Sequence, residues 1–393
     1  METVGELAPS LRILLGPGPS AVHPRVLKAL STPLVGHLDP EFLRIMEETK
    51  DLLRAVFQTK NALTFPISGT GSAGMEACFV NLLEPGDEAV IGVNGVFGTR
   101  MKDVVERCGA TPVVMEAEWG RVFTPDQVRE ALSRCRRPKL VALVHAETST
   151  GAWQPLDEMA SIIHNAGALF MVDAVTSLGG CPVQIDAWGI DACYSGTQKC
   201  LSCPPGLSPV TFNQSALDIL RKRKSKVQSW YLDVSMIEKY WGEERVYHHT
   251  APISMNYALR EALRLVQEEG LTVRFHRHQR NHEALAAGLA AMGMALAAQE
   301  GHRLWTLNSV TIPANVDDAA VRRQLLEEYN IEIGAGLGPL RGKVWRIGLM
   351  GESSTRSNVL LVLSALEDIL RKQGHRYPPG AGVSAAQHVY SAG

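Results

Sequence analysis

Asp173 and Lys199 are the side chains from which a chemistry is read first. Asp173 ends an apolar run, Leu169-Phe170-Met171-Val172. Lys199 follows a second short run, Ala192-Cys193-Tyr194-Ser195, across the small-residue turn Gly196-Thr197-Gln198. A carboxylate and an amine at the ends of buried strands of one sheet can face one cavity. There the amine is able to form a Schiff base with an aldehyde and the acid to hold a pyridinium nitrogen, which are the two demands of pyridoxal phosphate. Taken singly, each has an ordinary reading: Asp173 as the cap of a following turn, Lys199 as a surface lysine. The setting of Lys199 argues against the second. Thr197, Gln198 and Cys200 flank it and Pro204-Pro205-Gly206 closes the loop, which offers space and rigidity instead of a solvated charged face.

A second feature suits the phosphate of such a cofactor. Ser68-Gly69-Thr70-Gly71-Ser72-Ala73-Gly74 lies between an expected strand and an expected helix. Small residues let backbone N–H groups approach an anion, and a helix N-terminus favours negative charge. Thr70 and Ser72 add hydroxyl donors. The same stretch matches G-x-G-x-x-G, the dinucleotide fingerprint, which wants an acid at the end of the next strand. That strand ends in Asn94-Gly95, so the phosphate cradle is the preferred reading; a tight turn without ligand is the bland one. Arg346 interrupts an apolar strand, Val344-Trp345-Arg346-Ile347-Gly348-Leu349. A charge there needs a partner, either a structural carboxylate or, through a planar guanidinium, a substrate carboxylate. Phe97 follows a strand end, where a ring either stacks on a cofactor or belongs to the core.

Other polar groups are read as structural. Cys200-Leu201-Ser202-Cys203 is a CxxC without a second ligand pair at zinc spacing. His278 and His282 are four apart, but Arg277, Gln279 and Arg280 beside them suggest a solvated helix face. No metal site is expected. The basic run Arg221-Lys222-Arg223-Lys224-Ser225-Lys226 is read as an exposed helix end.

The elements that must position these groups alternate. Strands are expected at Leu63–Ile67, Ala89–Val93, Pro112–Met115, Leu140–His145, Leu169–Asp173 and Ala192–Ser195. Helices are expected at Ser72–Leu83, Val96–Cys108, Thr124–Cys135 and Leu156–Ala166. Such alternation argues for an α/β fold with a mostly parallel sheet covered on both faces, with ligands at the carboxyl ends of the strands. Asp39 and Pro40 open a helix before this run. A polar and aromatic connection runs from about residue 221 to 250. Helices follow near 255–269 and 273–292, and then a smaller α+β pattern. Three parts are expected: an extended arm over 1–20, a large domain over 21–270, and a small domain over 271–393 with an extended tail from Tyr377-Pro378-Pro379-Gly380.

Bulk properties exclude some partners. The chain has 393 residues with 39 Lys and Arg against 41 Asp and Glu, a net charge of −2. That balance supports neither a nucleic-acid nor an anionic-membrane partner. Seven cysteines, an odd number placed in or beside expected helices and strands, read as free thiols in a reducing compartment. METVGELAPS has acids and no apolar run, and no stretch reaches membrane-spanning length, so cytoplasmic residence is expected.

VDAVTSLGG, SGTQK, PPG, YHHT and VWRIGLMG, with the glycine cradle before them, occur in the order seen in class V aminotransferases. The chain resembles the alanine–glyoxylate and serine–pyruvate aminotransferase group over nearly its whole length. The resemblance implies a fold type I enzyme using pyridoxal 5'-phosphate, with a seven-stranded sheet in the large domain, working as a homodimer with shared active sites. Lys199 then takes the Schiff-base position and Asp173 pairs with the pyridine nitrogen. Thr70, Gly71 and Ser72 hold the phosphate, with Gln198 nearby, and Thr148 lies near the ring hydroxyl. Phe97 takes the ring-stacking position, where relatives often carry tryptophan. Tyr247 and Thr250 reach the phosphate of the neighbouring subunit. Arg346 receives the substrate carboxylate, and the Gly16–Ser20 segment, Gly18 included, lines the substrate pocket. The implied reaction moves an amino group from alanine or serine to glyoxylate by ping-pong kinetics, with small amino and 2-oxo acids as the only partners besides a second subunit.

The ureidoglycine–glyoxylate aminotransferases resemble the chain closely too, including LVGHLDP. That branch carries glutamine at the site of His37 and asparagine at the site of Tyr247, amides suited to a ureido group. This chain has neither, which favours alanine or serine as donor. The cysteine desulfurases are similar in fold but carry histidine where this chain has Gln198. A nicotinamide-dependent dehydrogenase is the more distant alternative, and it leaves Asp173 and Lys199 unexplained.

Overall fold

The computed structural model describes residues 4–392. Its main sheet has seven strands: β1 (Leu63–Ser68), β2 (Glu88–Val93), β3 (Thr111–Glu116), β4 (Pro138–Val144), β5 (Leu169–Asp173), β6 (Ala192–Tyr194) and β7 (Leu207–Phe212), in the order β1-β7-β6-β5-β4-β2-β3. The pairs from β6 through β3 are parallel, and β7 runs against both its neighbours. Alternate residues of one strand enter different cores. Leu140, Ala142 and Val144 pack with Leu169 and Met171 on one face, while Val141, Leu143, Phe170 and Val172 pack on the other. This follows from the two-residue period of a strand buried on both sides, and it is why these strands read as continuous apolar runs.

Strand β7 is the element that sequence rhythm alone does not bring out, because Pro209 interrupts it. The structure accommodates the proline by position. Pro209 lies opposite Pro66 of the edge strand β1. Toward β6, Ser195 N donates to Pro209 O at 2.8 Å. The return bond that proline cannot make comes from the Ser208 hydroxyl, which donates to Ser195 O at 2.6 Å.

A second, three-stranded antiparallel sheet has β8 (Leu307–Thr311), β9 (Gly334–Ala335) and β10 (Val344–Gly348) in the order β8-β10-β9. The helices Leu271–Ala291 and Arg356–Lys372 contribute Leu285, Leu289, Val362 and Leu366 to its core. The N-terminal segment belongs to this unit: Ile13–Leu14 pairs with Ile331–Glu332, and Leu15 is fully buried there. Of the expected arm, residues 1–3 lie outside the described residues, and 4–11 have no regular structure and are largely exposed. No helix among the described residues is long and apolar enough to cross a membrane.

Three expectations are corrected. The stretch from 221 to 250 is not an irregular connection throughout, since Val234–Trp241 is a helix with Asp233 accepting from Ser235 N at its start. Val234, Ile237, Tyr240 and Trp241 are its buried face, a helical spacing hidden among polar and aromatic neighbours. The face carrying His278 and His282 is not solvated. Both are buried, with His278 Nε2 accepting from Gly351 N at 2.9 Å and His282 Nδ1 2.6 Å from Asn308 Oδ1. Arg277 turns its charge onto Glu269 and onto the carbonyls of Gly351 and Ser354, so flanking charges did not mean solvent.

The tail is not extended. After the Pro378-Pro379 break, Ala381–Ser391 is a helix packed on Leu271–Ala291. Its first N–H groups have no cap of their own. Glu367 supplies one: its carboxylate accepts from Gly380 N at 3.0 Å, Gly382 N at 2.7 Å and Val383 N at 3.2 Å. A carboxylate at a helix N-terminus satisfies orphan donors and complements the helix dipole, and local sequence does not show that it will arrive. Glu367→Ala should lower stability by about 1–3 kcal/mol in urea denaturation and release amide-exchange protection at residues 380–383. Unchanged protection there would mean that packing alone holds the helix.

Candidate active site

The loops after β1, β5 and β6 meet at a cavity of about 190 Å³ lined by Thr70, Gly71, Ser72, Phe97, Asp173, Gln198 and Lys199, together with Met75, Arg100, Val175 and Tyr194. Its location follows from the sheet, for parallel strands present their carboxyl ends on one side and the connecting loops gather there. A larger cavity near Glu47 and Arg245 holds none of these groups.

Asp173 closes β5 and is 2% exposed. Its Oδ1 accepts from Val175 N at 2.8 Å, the turn cap that sequence allows, and its Oδ2 accepts from Tyr194 Oη at 2.7 Å. Burial pushes its pKa up to about 6, against the pull of those hydrogen bonds and of Lys199. A cation placed beside it would bring the carboxylate back to its charged form. Tyr194 was expected only as a strand residue. Its role as partner of Asp173 follows from the parallel register that sets the two residues opposite each other.

Lys199 is 8% exposed, and burial lowers its pKa to about 8. Its Nζ donates to Pro17 O. Its backbone is held from two sides: Lys199 O accepts from Ser20 Oγ at 2.7 Å, and Cys200 O accepts from the buried Arg274 at 2.6 Å. Gly18 lies against the side chain, with φ of +98° and room so limited that a Cβ would stand 2.6 Å from Lys199 Cδ. Only glycine fits that backbone at that distance. The neighbouring Cys200 is buried with its pKa pushed up to about 11, so its thiol stays protonated.

The cradle has the form that an anion requires. The helix Gly71–Leu82 begins at Thr70 with no side-chain cap, and Thr70, Gly71 and Ser72 line the cavity, while Ala73 N turns back to Thr70 O at 2.7 Å. Gly74 is needed for another reason: a Cβ there would stand 2.0 Å from Ser208 Oγ, so this glycine lets the helix lie against β7. Gln198 Oε1 is buried and finds no hydrogen-bond partner among the described residues. An uncapped helix start, an orphan buried oxygen, a buried carboxylate and a lysine of lowered pKa in one cavity fit pyridoxal phosphate. Thr70, Gly71 and Ser72 would hold its phosphate, Asp173 its ring nitrogen and Lys199 Nζ its aldehyde carbon.

Arg346 is on β10, and burial lowers its pKa. Its Nε donates to Ala335 O at 2.7 Å and its Nη1 to Thr148 O at 3.3 Å. Both acceptors are carbonyls, and among the described residues no carboxylate forms a salt bridge with it. Of the two partners that sequence left open, a structural carboxylate in a salt bridge is not found among the described residues. Arg346 lies close enough to Lys199 for the two charges to repel. Thr148 is buried beside it, with Oγ1 2.5 Å from Thr176 Oγ1. The Phe97 ring lines the cavity under the Arg100 guanidinium, 5.1 Å away.

His37, Tyr247 and Thr250 do not line the Lys199 cavity of their own chain. They form a separate group, with the His37 and Tyr247 rings 5.2 Å apart and Tyr247 Oη 3.4 Å from Thr250 Oγ1, and Tyr247 is 57% exposed.

The class-V aminotransferase family model matches residues 15–345. The alanine–glyoxylate aminotransferase of Callithrix jacchus is 43% identical over 364 residues, covering 92% of this chain and 88% of that protein. The structure of ureidoglycine–glyoxylate aminotransferase from Bacillus subtilis superposes with a TM-score of 0.96 at 45% identity, covering 98% of this chain and 100% of that one. That of alanine–glyoxylate aminotransferase from Nostoc sp. has a TM-score of 0.93 at 51% identity, covering 94% and 98%. These findings remove the dehydrogenase alternative. The chain belongs to the class V aminotransferases, enzymes that depend on pyridoxal phosphate.

Proposed function

We propose that this aminotransferase moves the amino group of alanine or serine to glyoxylate, giving glycine and pyruvate or hydroxypyruvate in a ping-pong cycle. The observation that carries the reading is Arg346, a buried guanidinium that forms no salt bridge among the described residues and is close to Lys199. An amino acid gripped there by its carboxylate presents its Cα toward the lysine. Bound pyridoxal phosphate supplies the electron sink that accepts the electron pair from that carbon. Lys199 Nζ would take the proton from the substrate Cα and hold it for return, and a pKa near 8 suits a group that both accepts and gives a proton. Asp173 would hold a proton on the ring nitrogen. Gly18 and Pro17 hold the lysine in place.

His37 and Tyr247 support alanine or serine, because an imidazole and a phenol stand where a ureido donor is served by amides. A second reading, (S)-ureidoglycine as donor, is favoured by the coverage of the Bacillus subtilis relative, which extends over 98% of this chain. Tyr247 and Thr250 act on the phosphate of a neighbouring subunit in a homodimer. Exposed Leu34, Leu38, Trp230, Val246 and Tyr247 are apolar surface suited to such an interface. The protein works in the cytoplasm, which fits seven cysteines without a disulfide. Residues 21–270 and 271–393 form its large and small domains, meeting at Gly270 between two long helices.

Mixing the holoenzyme with each donor separately and following the near-visible band of the cofactor tests the choice. Alanine or serine should discharge it and Lys199→Ala should abolish the response, whereas discharge by ureidoglycine alone would establish the second reading. Arg346→Ala should raise the donor KM by about 10- to 100-fold, the loss of a charge-assisted pair, with cofactor affinity unchanged. In the apoprotein, acylation of Lys199 should rise with pH through a midpoint near 8, because the neutral amine is the nucleophile and burial favours it. A midpoint at the ordinary 10.5 would mean that the amine is solvated.

A further inference from the structure

Glu147 is fully buried on the segment after β4, and the chemistry above does not use it. Its carboxylate joins two parts of the site. Oε2 accepts from Phe97 N at 3.1 Å, at the start of the Val96–Arg107 helix, which has no side-chain cap of its own. Oε1 accepts from Ser149 N at 3.1 Å and from Ser149 Oγ at 2.6 Å. Ser149 Oγ in turn accepts from Val96 N at 3.0 Å. The contact is close-packed: a Cβ on Gly95 would stand 2.3 Å from the Glu147 carboxyl carbon. The next residue, Thr148, holds Arg346 through its carbonyl and Thr176 through its hydroxyl. One short segment therefore touches the helix that carries Phe97 on one side and the guanidinium of Arg346 on the other.

We propose that Glu147 is a positioning residue for the transamination, setting the Phe97 ring against the cofactor and, through Thr148, the guanidinium of Arg346 against the substrate carboxylate. Burial raises the pKa of Glu147, and in its charged form the carboxylate attracts Arg346 and offsets part of that cation's desolvation. A helix cap alone would account for the bonds to Phe97 N and Ser149. It would not tie cofactor orientation to substrate affinity. The proposal rests on the roles given above to Phe97 and Arg346.

Glu147→Gln keeps the shape but replaces one acceptor oxygen with a donor facing other donors. In the holoenzyme it should reduce the visible circular dichroism of the bound cofactor at least twofold per mole bound and raise the donor KM at least tenfold. Combined with Phe97→Leu, its effect on the cofactor dissociation constant should be less than the product of the two single effects, because both act on one ring. A lowered Tm with unchanged dichroism and KM, or independent effects in the double variant, would overturn the proposal. Should Glu147→Gln not yield folded holoenzyme, Ser149→Ala carries the test. It leaves the carboxylate in place and removes its shortest hydrogen bond, so the same two changes are expected at smaller amplitude, and their absence would count against the proposal. If Phe97→Leu leaves cofactor affinity unchanged and Arg346→Ala leaves KM unchanged, the site reading itself fails and takes this one with it.

Discussion

Four ionisable side chains, Glu147, Asp173, Lys199 and Arg346, are withdrawn from water in one small region, and the rest of the structure serves to make that tolerable. Burial opposes charge on each of them, raising the two acids and lowering the two bases. The protein compensates mostly with fixed hydrogen bonds instead of direct ion pairs. Tyr194 Oη and Val175 N serve Asp173, Ser149 and Phe97 serve Glu147, and carbonyls serve Lys199 and Arg346. Groups held this way are not neutralised by each other. Asp173, Lys199 and Arg346 keep their polar atoms free of one another, while both oxygens of Glu147 are taken up by Phe97 N and Ser149.

The same constraint explains the path of the N-terminal segment. Leu15 is buried in the core of the small sheet, and Gly348 N donates to its carbonyl at 2.8 Å. Five residues later, Ser20 binds the loop of the main sheet through Gln198 O and Lys199 O. Between them Pro17 and Gly18 close over the lysine. A stiff stretch of alternating proline and glycine is suited to this work, since it fixes a direction without needing a ladder of its own. The small sheet, which brings Arg346, and the main sheet, which brings Lys199, are thereby joined at the place where their residues must cooperate.

Much of this was legible in the chain. The alternation of apolar runs and helical patterns brought out six strands of the main sheet, because fully buried parallel strands are apolar on both faces. Strand-end positions picked out Asp173, Lys199 and the cradle at Thr70 to Ser72, and an arginine inside an apolar run picked out Arg346. What stayed hidden depended on partners distant in sequence. Strand β7 is not among the expected strands, and its Pro209 is accommodated because the Ser208 hydroxyl replaces the missing donor. His278 looked solvated until the loop at Gly351 was seen to cover it. The last helix looked like a tail until Glu367 was seen to cap it.

Sequence by itself determined the chemistry available: an amine, an acid, an anion cradle and a guanidinium, in an order that belongs to one family. Residue types and local pattern suffice for that, because they decide which groups exist and which ends of which elements carry them. Only the tertiary structure decided how those groups are held. It left Arg346 without a carboxylate, set Tyr194 on Asp173, pressed Gly18 against Lys199, and put His37 beside Tyr247 away from the cavity of their own chain. Each of these depends on two segments far apart in the chain approaching to within a few ångströms, and burial and hydrogen bonding at that distance, not composition, set the charge state and direction of every group in the site.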